Sequence, residues 1–246
     1  HGLVVASCGL ALMASPALAQ DDYTIEVSDP VVPTVVDIDL SQVQSVAAWK
    51  PGDPIKEIPK RRYPTPGQPE FTPAPPQLDP LLAAQQAASG RTQRAFGSPL
   101  LSIAGLGFTG VNPPDTVGDV GPNYYIQSIN GSSGALFKIF NKDGSAATGT
   151  LSMESLGAGN CASGLGDPVV LYDEMAGRWV LTEFSNSGNR LCVYVSQTGD
   201  PVAGGWYNYD FAAPSFPDYP KYGVWPSAYF VGTNESQDAL YALDRP

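Results

Sequence analysis

Short runs of apolar and aromatic residues alternate with clusters of turn-forming residues over the second half of the chain. In the clearest stretch the runs fall at residues 169–172, 179–184, 191–196 and 206–211. The runs are rich in the β-branched and aromatic residues that favour strands, and the Gly, Asn, Asp and Pro residues between them favour turns. We therefore predict four short antiparallel strands in this stretch.

The same arrangement recurs with a nearly constant period. Asp115, Asp167 and Asp218 each precede an aromatic strand, and they are separated by 52 and 51 residues. The strands that follow them are predicted at residues 124–130, 178–184 and 228–234. A period of about 50 residues with four strands per unit is typical of a β-propeller blade. The sequence therefore predicts an all-β fold, a partial β-propeller of four-stranded antiparallel blades.

The third repeat reaches only its third predicted strand, at residues 240–243. We therefore expect about two and a half blades, whereas a closed ring needs at least about four. This pattern predicts that the sequence is a piece of a longer protein.

Two segments precede the repeats. Residues 1–19 form an apolar run that ends in Ala-Leu-Ala, which predicts a signal peptide cleaved before Gln20. Residues 20–94 are rich in proline and predict a leader or linker that is largely irregular and packs poorly against the blades. Within this leader a short helix is predicted at residues 78–90. The incomplete propeller domain then spans residues 95–246.

The composition limits which structures, catalytic groups and partners are compatible with the sequence. Only 15% of the residues are charged, while 26 are Gly and 24 are Pro, which favours short strands and turns. The single histidine is His1, inside the predicted signal peptide, so the mature region lacks His-based catalytic triads and His-ligated metals. The net charge of −11 disfavours nucleic acid and anionic membrane surfaces as partners.

Cysteine usage points to an oxidising compartment. Cys8 belongs to the predicted signal peptide, so the mature region keeps an even pair, Cys161 and Cys192. Such a pair predicts one disulfide, with two separate buried thiols as the alternative. Together with the signal peptide, it predicts a secreted protein, extracellular or periplasmic, with no membrane span after cleavage.

Three motifs occupy matching places in the repeats, namely PPDTVGDVGP at 113–122, GDPVVLYD at 166–173 and DYPK at 218–221. In these motifs the chain from about residue 105 onward resembles secreted bacterial proteins with sialidase-like or similar glycosidase-type β-propeller modules. The resemblance implies a propeller fold. It does not carry a catalytic assignment, because the segment similar to the sialidase Asp-box has Asp200 four residues after Ser196, whereas that motif has its Asp two residues after the Ser.

The repeated aspartates are weak catalytic candidates with three interpretations. Asp115, Asp167 and Asp218 could accept backbone N–H groups at a turn, form a ring of carboxylates facing a sugar or a cation, or act as paired catalytic carboxylates. Recurrence favours the turn, because every blade needs a turn former and a reaction needs its acid only once.

Four further residues are candidates for the site. Glu183 is a carboxylate without a counterpart in the other repeats, and it is interpreted as a solvent-facing strand residue or, alternatively, as a channel-facing catalytic group. Trp179, Trp225 and Tyr229 are weak candidates for ligand binding. Packing between blades is the favoured interpretation for these aromatic residues and for Trp206.

Two functions from different classes remain. The first is a binding module for a glycan or an extracellular protein surface. The second is a carboxylate-dependent glycoside hydrolase or lyase of propeller type, which would need a carboxylate pair that is not repeated. No cofactor and no metal site are predicted, although Ca²⁺ stays open as a ligand. The sequence does not decide whether the protein is an enzyme.

Overall fold

The computed structural model describes residues 25–58, 84, 97–236 and 239–245, and this part of the chain is mainly β. Strands β1 to β14 span, in order, Thr34–Val36, Lys56–Glu57, Val111–Asn112, Val117–Val120, Tyr124–Gly131, Gly134–Asn141, Leu151–Ser152, Gly164–Asp173, Arg178–Ser185, Arg190–Ser196, Trp206–Ala212, Asp218–Val224, Ala228–Asn234 and Ala239–Asp244. Short 3-10 helices lie at Leu40–Gln42, Met153–Leu156 and Gly159–Cys161.

Three antiparallel sheets follow one another along the chain. The first sheet contains β4 to β7, the second β8 to β11, and the third β12 to β14. Strands that are neighbours in sequence are neighbours in space, as short turns between strands require. The prediction of a mainly β fold made of repeated antiparallel units is confirmed. The four strands predicted between residues 169 and 211 correspond to β8 to β11.

The second sheet is covered on both faces. On one face, Trp179 and Leu181 of β9 belong to a buried cluster with Phe137 of the first sheet. On the opposite face, Val180 packs in a second cluster with Val231 of the third sheet. Because successive side chains of a strand point to opposite faces, β9 is buried along nearly its whole length. Each large apolar side chain buried here contributes roughly 1.5–3 kcal/mol to folding.

The predicted disulfide is confirmed. Cys161 and Cys192 are bonded, with their Cα atoms 5.7 Å apart. Cys161 ends the 3-10 helix before β8, and Cys192 lies in β10, so the bond ties the entry of the second sheet to its third strand. Both cysteines are fully buried.

Part of the predicted leader belongs to the fold. Strand β1 pairs with β11 as a fifth strand of the second sheet. Leu40 is completely buried in the core between the first and second sheets, and its N–H donates to Val202 O at 2.8 Å. Val46 N donates to Thr150 O at 2.8 Å. The expectation of poor packing is therefore wrong for residues 34–46. Apolar residues recur between the prolines on either side of this segment, and they pack beside the second sheet.

The end of the same stretch also contacts the sheets. Strand β2 pairs in parallel with β3, and the ring of Trp49 meets that of Phe108 edge to face at 5.0 Å. The predicted signal peptide, the part of the leader's proline-rich centre after residue 58 and the predicted helix at 78–90, apart from residue 84, lie outside the described residues. The boundary near residue 95 therefore stays a prediction.

The sheets belong to one compact unit, Val31–Pro246, and the N-terminal unit is His1–Pro30. In the N-terminal unit the structure describes residues 25–30, which form no strand. Within the described part of the chain, no helix has the length and apolar character needed to cross a membrane.

Candidate ligand-binding site

The three repeated aspartates lie at matching places in the three sheets. Asp115 precedes β4, Asp167 lies in the first half of β8, and Asp218 begins β12. In each sheet the aspartate lies opposite one residue of the following strand, or one residue away from that register. These opposing residues hold equivalent places in their strands, and they are Asn130, Phe184 and Asn234. The register places all three aspartates at the entries of their sheets, with Asp218 one residue earlier than the place of Asp167, because Gly166 is opposite Phe184 and Asp218 is opposite Asn234. That the three side chains share one face stays a prediction.

The backbone at these places adopts an uncommon conformation. Asp115 and Asp167 have φ values of 42° and 52°, and in the third repeat the next residue, Tyr219, has a φ of 52°. Left-handed backbone of this kind is tolerated by aspartate better than by most residues. The strand register shifts at the same places in β8 and β12, as at a β-bulge, which redirects side chains at the start of a strand.

Asn130 connects the first two aspartates. Its Nδ2 donates to Asp115 Oδ2 at 2.9 Å, to Asp167 Oδ1 at 3.2 Å and to Pro113 O at 3.0 Å. Its Oδ1 accepts a hydrogen bond from Asp167 N at 2.7 Å. Asn130 is completely buried, and a methyl group at Gly166 would overlap its Oδ1. Glycine at that position therefore lets the two sheets approach closely.

These contacts correct the favoured interpretation of the aspartates as acceptors of backbone N–H groups. Asp218 Oδ1 does accept from a backbone donor, Tyr219 N, at 3.0 Å. Asp115 and Asp167 accept from the side chain of Asn130 instead. The reason is that the turn leads into a junction between two sheets, where a side chain from the neighbouring strand is the nearest donor.

The aspartates also affect one another electrostatically. Burial raises the pKa of Asp167 to about 6, although the hydrogen bond from Asn130 lowers it. The negative charge of Asp115, a side-chain hydrogen bond with Asp115 and the charge of Asp218 raise this pKa further. The entries of the three sheets lie close together, since Asn130 contacts both Asp115 and Asp167, and since Asp167 and Asp218 line the same cavity.

A cavity of about 330 Å³ opens beside two of these aspartates, and we call it the junction cavity. It is lined by Lys56, Ile58, Leu165, Asp167, Phe184, Phe216 and Asp218. The rings of Phe184 and Phe216 meet edge to face, with centroids 4.7 Å apart. Lys56 Nζ donates to Ser132 O at 2.8 Å, which directs this ammonium group toward the first sheet. The cavity thus combines an apolar aromatic wall with two carboxylates.

Comparison with known protein families, with curated proteins and with solved structures found no match. The resemblance to secreted bacterial propeller proteins therefore stays an expectation, and the site has to be interpreted from its own geometry. Among the residues that the structure describes, no group of three or more His, Cys, Asp and Glu side chains could hold a metal ion. The chemistry of the junction cavity is that of hydrogen bonding, charge and apolar contact.

Glu183 lies elsewhere, and its interpretation as a solvent-facing residue is wrong. Its side chain is only 1% exposed. The carboxyl accepts hydrogen bonds from Ala135 N of the first sheet at 2.8 Å and from Tyr194 Oη of its own sheet at 3.3 Å. Burial raises the pKa of Glu183 to about 8, and the nearby charge of Glu154 adds to this. Glu183 therefore links two sheets, because the second sheet has no solvent-facing side here.

The candidate aromatic residues separate into two groups. Trp179, Trp206 and Tyr229 are buried, as interpreted. Tyr229 also donates its hydroxyl to Asp173 Oδ2 at 2.8 Å. Trp225 is 63% exposed, so its interpretation as core is wrong. It follows the last residue of β12, where the chain leaves the sheet for a turn.

Several residues of the site were not identified as candidates from the sequence. Asn130 is the last residue of the strand predicted at 124–130 and the last but one of β5, and its place in the repeat was the signal that could have identified it. Phe184 occupies the equivalent place in β9 and could have been found in the same way. Nothing in the sequence pattern pointed to Lys56, because β2 and β3 are parallel and 55 residues apart.

Proposed function

We propose that this chain is part of an exported β-propeller module that binds a small extracellular ligand in the junction cavity. The observation that carries the proposal is the cavity itself, where two carboxylates face an aromatic pair. Ligand sites are typically concave and apolar, with a few convergent polar groups. At about 330 Å³ the volume suits one sugar residue or one protein side chain.

The packing of the sheets supports a propeller. Ile126 and Val180 hold equivalent places in β5 and β9, and each lies in the cluster shared with the sheet that follows. The three aspartates at the sheet entries also lie close together, because Asn130 bridges Asp115 and Asp167, and Asp167 and Asp218 line one cavity. Sheets stacked face to face, with their first strands meeting at a common axis, are the arrangement of propeller blades.

Export is supported by the bonded cysteines. A fully buried disulfide forms and persists in oxidising compartments, and cytosolic proteins seldom keep one. Edman sequencing of the protein secreted from a bacterial host is expected to start at Gln20. A protein that starts at the first residue of the expressed chain would contradict the predicted signal peptide.

The ligand classes that fit are a glycan and an extracellular protein surface. A sugar ring could stack on Phe216 while its hydroxyl groups donate to Asp167 and Asp218. A protein could insert one side chain into the same volume. Both classes use the carboxylates as acceptors.

The alternative of a glycoside hydrolase needs two carboxyl groups about 5 Å or more apart, on either side of a glycosidic bond. Asp115 and Asp167 do not meet this requirement, because the side chain of Asn130 contacts both and occupies the space where a glycosidic bond would lie. We favour the binding module, because it needs no such catalytic pair.

A thermal-shift screen with glycans, peptides and small ions tests the proposal. A ligand of the cavity should raise the melting temperature of the wild-type protein and have a weaker effect on Asp218→Asn. Glu174→Gln is the matched control, because it removes one negative charge from an exposed turn at the far end of β8. An equal ligand effect in all three proteins would place binding elsewhere and contradict the proposal.

A further inference from the structure

The junction between the first and second sheets shows what fits between two of the repeated aspartates. There the carboxamide of Asn130 donates through Nδ2 to Asp115 and to Asp167, at 2.9 and 3.2 Å. Its oxygen accepts the N–H of Asp167 at 2.7 Å. One group that carries N–H donors thus serves two carboxylates at once.

The junction between the second and third sheets has a different residue in this place. Phe184 takes the position in β9 that Asn130 takes in β5, and its ring carries no donor. Asp167 and Asp218 both line the cavity at this junction, and Oδ1 of Asp167 also accepts from Asn130 at the first junction. Asp218 accepts one hydrogen bond, at Oδ1, whereas a carboxylate has about four acceptor sites. The second junction therefore has an open volume where the first has a bridging side chain.

The backbone donor of the first junction has no counterpart at the second. In the first, Asp167 N donates to the oxygen of Asn130. In the second, Asp218 N donates to Phe216 O at 2.9 Å and is already satisfied. A ligand group beside Asp167 and Asp218 would therefore meet carboxylate oxygens as acceptors, but no free backbone N–H of Asp218 as a donor. Ammonium and guanidinium groups carry donors alone and match these acceptors, whereas the acceptor of an amide or hydroxyl would need Lys56 or water as its donor.

Charge and the aromatic wall favour the same class of ligand. The chain has a net charge of −11, which raises the local concentration of cations near its surface. Leu165 and Phe216 are half-buried apolar residues of the cavity lining and can contact a stem, whereas Phe184 is only 2% exposed and packs edge to face against Phe216. Lys56 opposes a cation by repulsion, although its Nζ is held by Ser132 O.

We infer that the junction cavity binds a primary ammonium or guanidinium group on an apolar stem, with the cation beside Asp167 and Asp218 and the stem against Leu165 and Phe216. This inference rests on the proposed function, since it names the ligand chemistry of the same cavity. A small free amine and a lysine or arginine side chain of an extracellular protein share this chemistry.

Isothermal titration of the full chain with matched ligands tests the inference. Phenethylammonium and 2-phenylethanol have the same apolar body and differ in the cationic group. Nα-acetyl-lysine methylamide represents the protein side chain. We expect both amines to bind at least about tenfold more tightly than the alcohol, because only the ammonium group adds a positive charge that pairs with the carboxylates. Tighter binding of phenethylammonium than of the lysine derivative would identify a free amine as the source, and the reverse order a protein.

Three variants make the test specific. Asp218→Asn should weaken amine binding at least about tenfold, Lys56→Gln should strengthen it, and Glu174→Gln should leave it unchanged. Melting temperatures would show whether each variant is folded, and Lys56→Gln gives an independent result if Asp218→Asn is not.

Two results would overturn the inference in distinguishable ways. Neutral sugars that bind in an Asp218-dependent manner while amines do not would refute the cationic ligand and leave the proposed function intact. No Asp218-dependent binding by any ligand class would refute both.

Discussion

Glu183→Gln should stabilise the protein at neutral and alkaline pH. The wild-type carboxyl is buried between two sheets, and its pKa is raised from 4.5 to about 8, chiefly by burial. Between these values the unfolded chain ionises Glu183 while the folded chain keeps it protonated. The folded state then binds one proton more than the unfolded state, so the free energy of unfolding falls as the pH rises.

The size of the effect follows from the same two values. Each pH unit between them costs the wild type up to about 1.4 kcal/mol, so the total loss by pH 8 is at most about 5 kcal/mol. Glutamine keeps an oxygen that can accept from Ala135 N and an amide that can donate to Tyr194 Oη. Because glutamine does not ionise, the variant should lose none of this stability.

Urea unfolding of both proteins, followed by the fluorescence of the buried tryptophans, measures the difference. The stability of Glu183→Gln relative to the wild type should rise steadily from pH 4.5 to pH 8 and level off above it. Below pH 4.5 the two should respond to pH alike, because Glu183 is then neutral in both states. Glu174→Gln, on the exposed turn, should run parallel to the wild type. A Glu183→Gln curve that also runs parallel would refute the assignment of a buried neutral carboxyl.

Three further predictions concern the disulfide and the site. Replacing Cys161 and Cys192 together by serine should lower the free energy of unfolding by roughly 3–4 kcal/mol, as urea denaturation would show, because the bond closes a loop of 31 residues. Asn130→Ala should cost about 1–3 kcal/mol in the same assay, since buried acceptors lose their donor; an unchanged midpoint would contradict the bridging role. Amine binding measured by calorimetry should weaken as the pH falls below about 6, where Asp167 takes up a proton; binding that is constant from pH 5 to 7.5 would contradict this. The charged neighbours in this titration are Asp115, Asp218 and Lys56.

The strands could be predicted because alternation and turn residues are local signals. The predicted run at 179–184 became β9, and the repeat spacing correctly placed the three aspartates at sheet entries. The surroundings of Glu183 could not be predicted in this way. Alternation shows which residues share a face but not whether a second sheet covers that face, so a buried carboxyl and a solvated one give the same pattern.

The composition of the site also depended on contacts between distant segments. Lys56 reaches the cavity through the parallel pairing of β2 with β3, and parallel partners leave no turn signature between them. Leu40 enters the core from a segment whose prolines indicated a linker. Local sequence patterns therefore predicted the repeated strands, but they did not predict that the N-terminal segment packs against them.

An NMR titration of the isotope-labelled protein is the most direct test of ligand binding in the junction cavity. With the tightest ligand from the screen, we expect amide shift changes concentrated at residues of the cavity lining such as Leu165, Phe184 and Asp218. These changes should be strongly reduced in Asp218→Asn. Shift changes concentrated on another surface, and unaffected by that substitution, would contradict binding in the cavity.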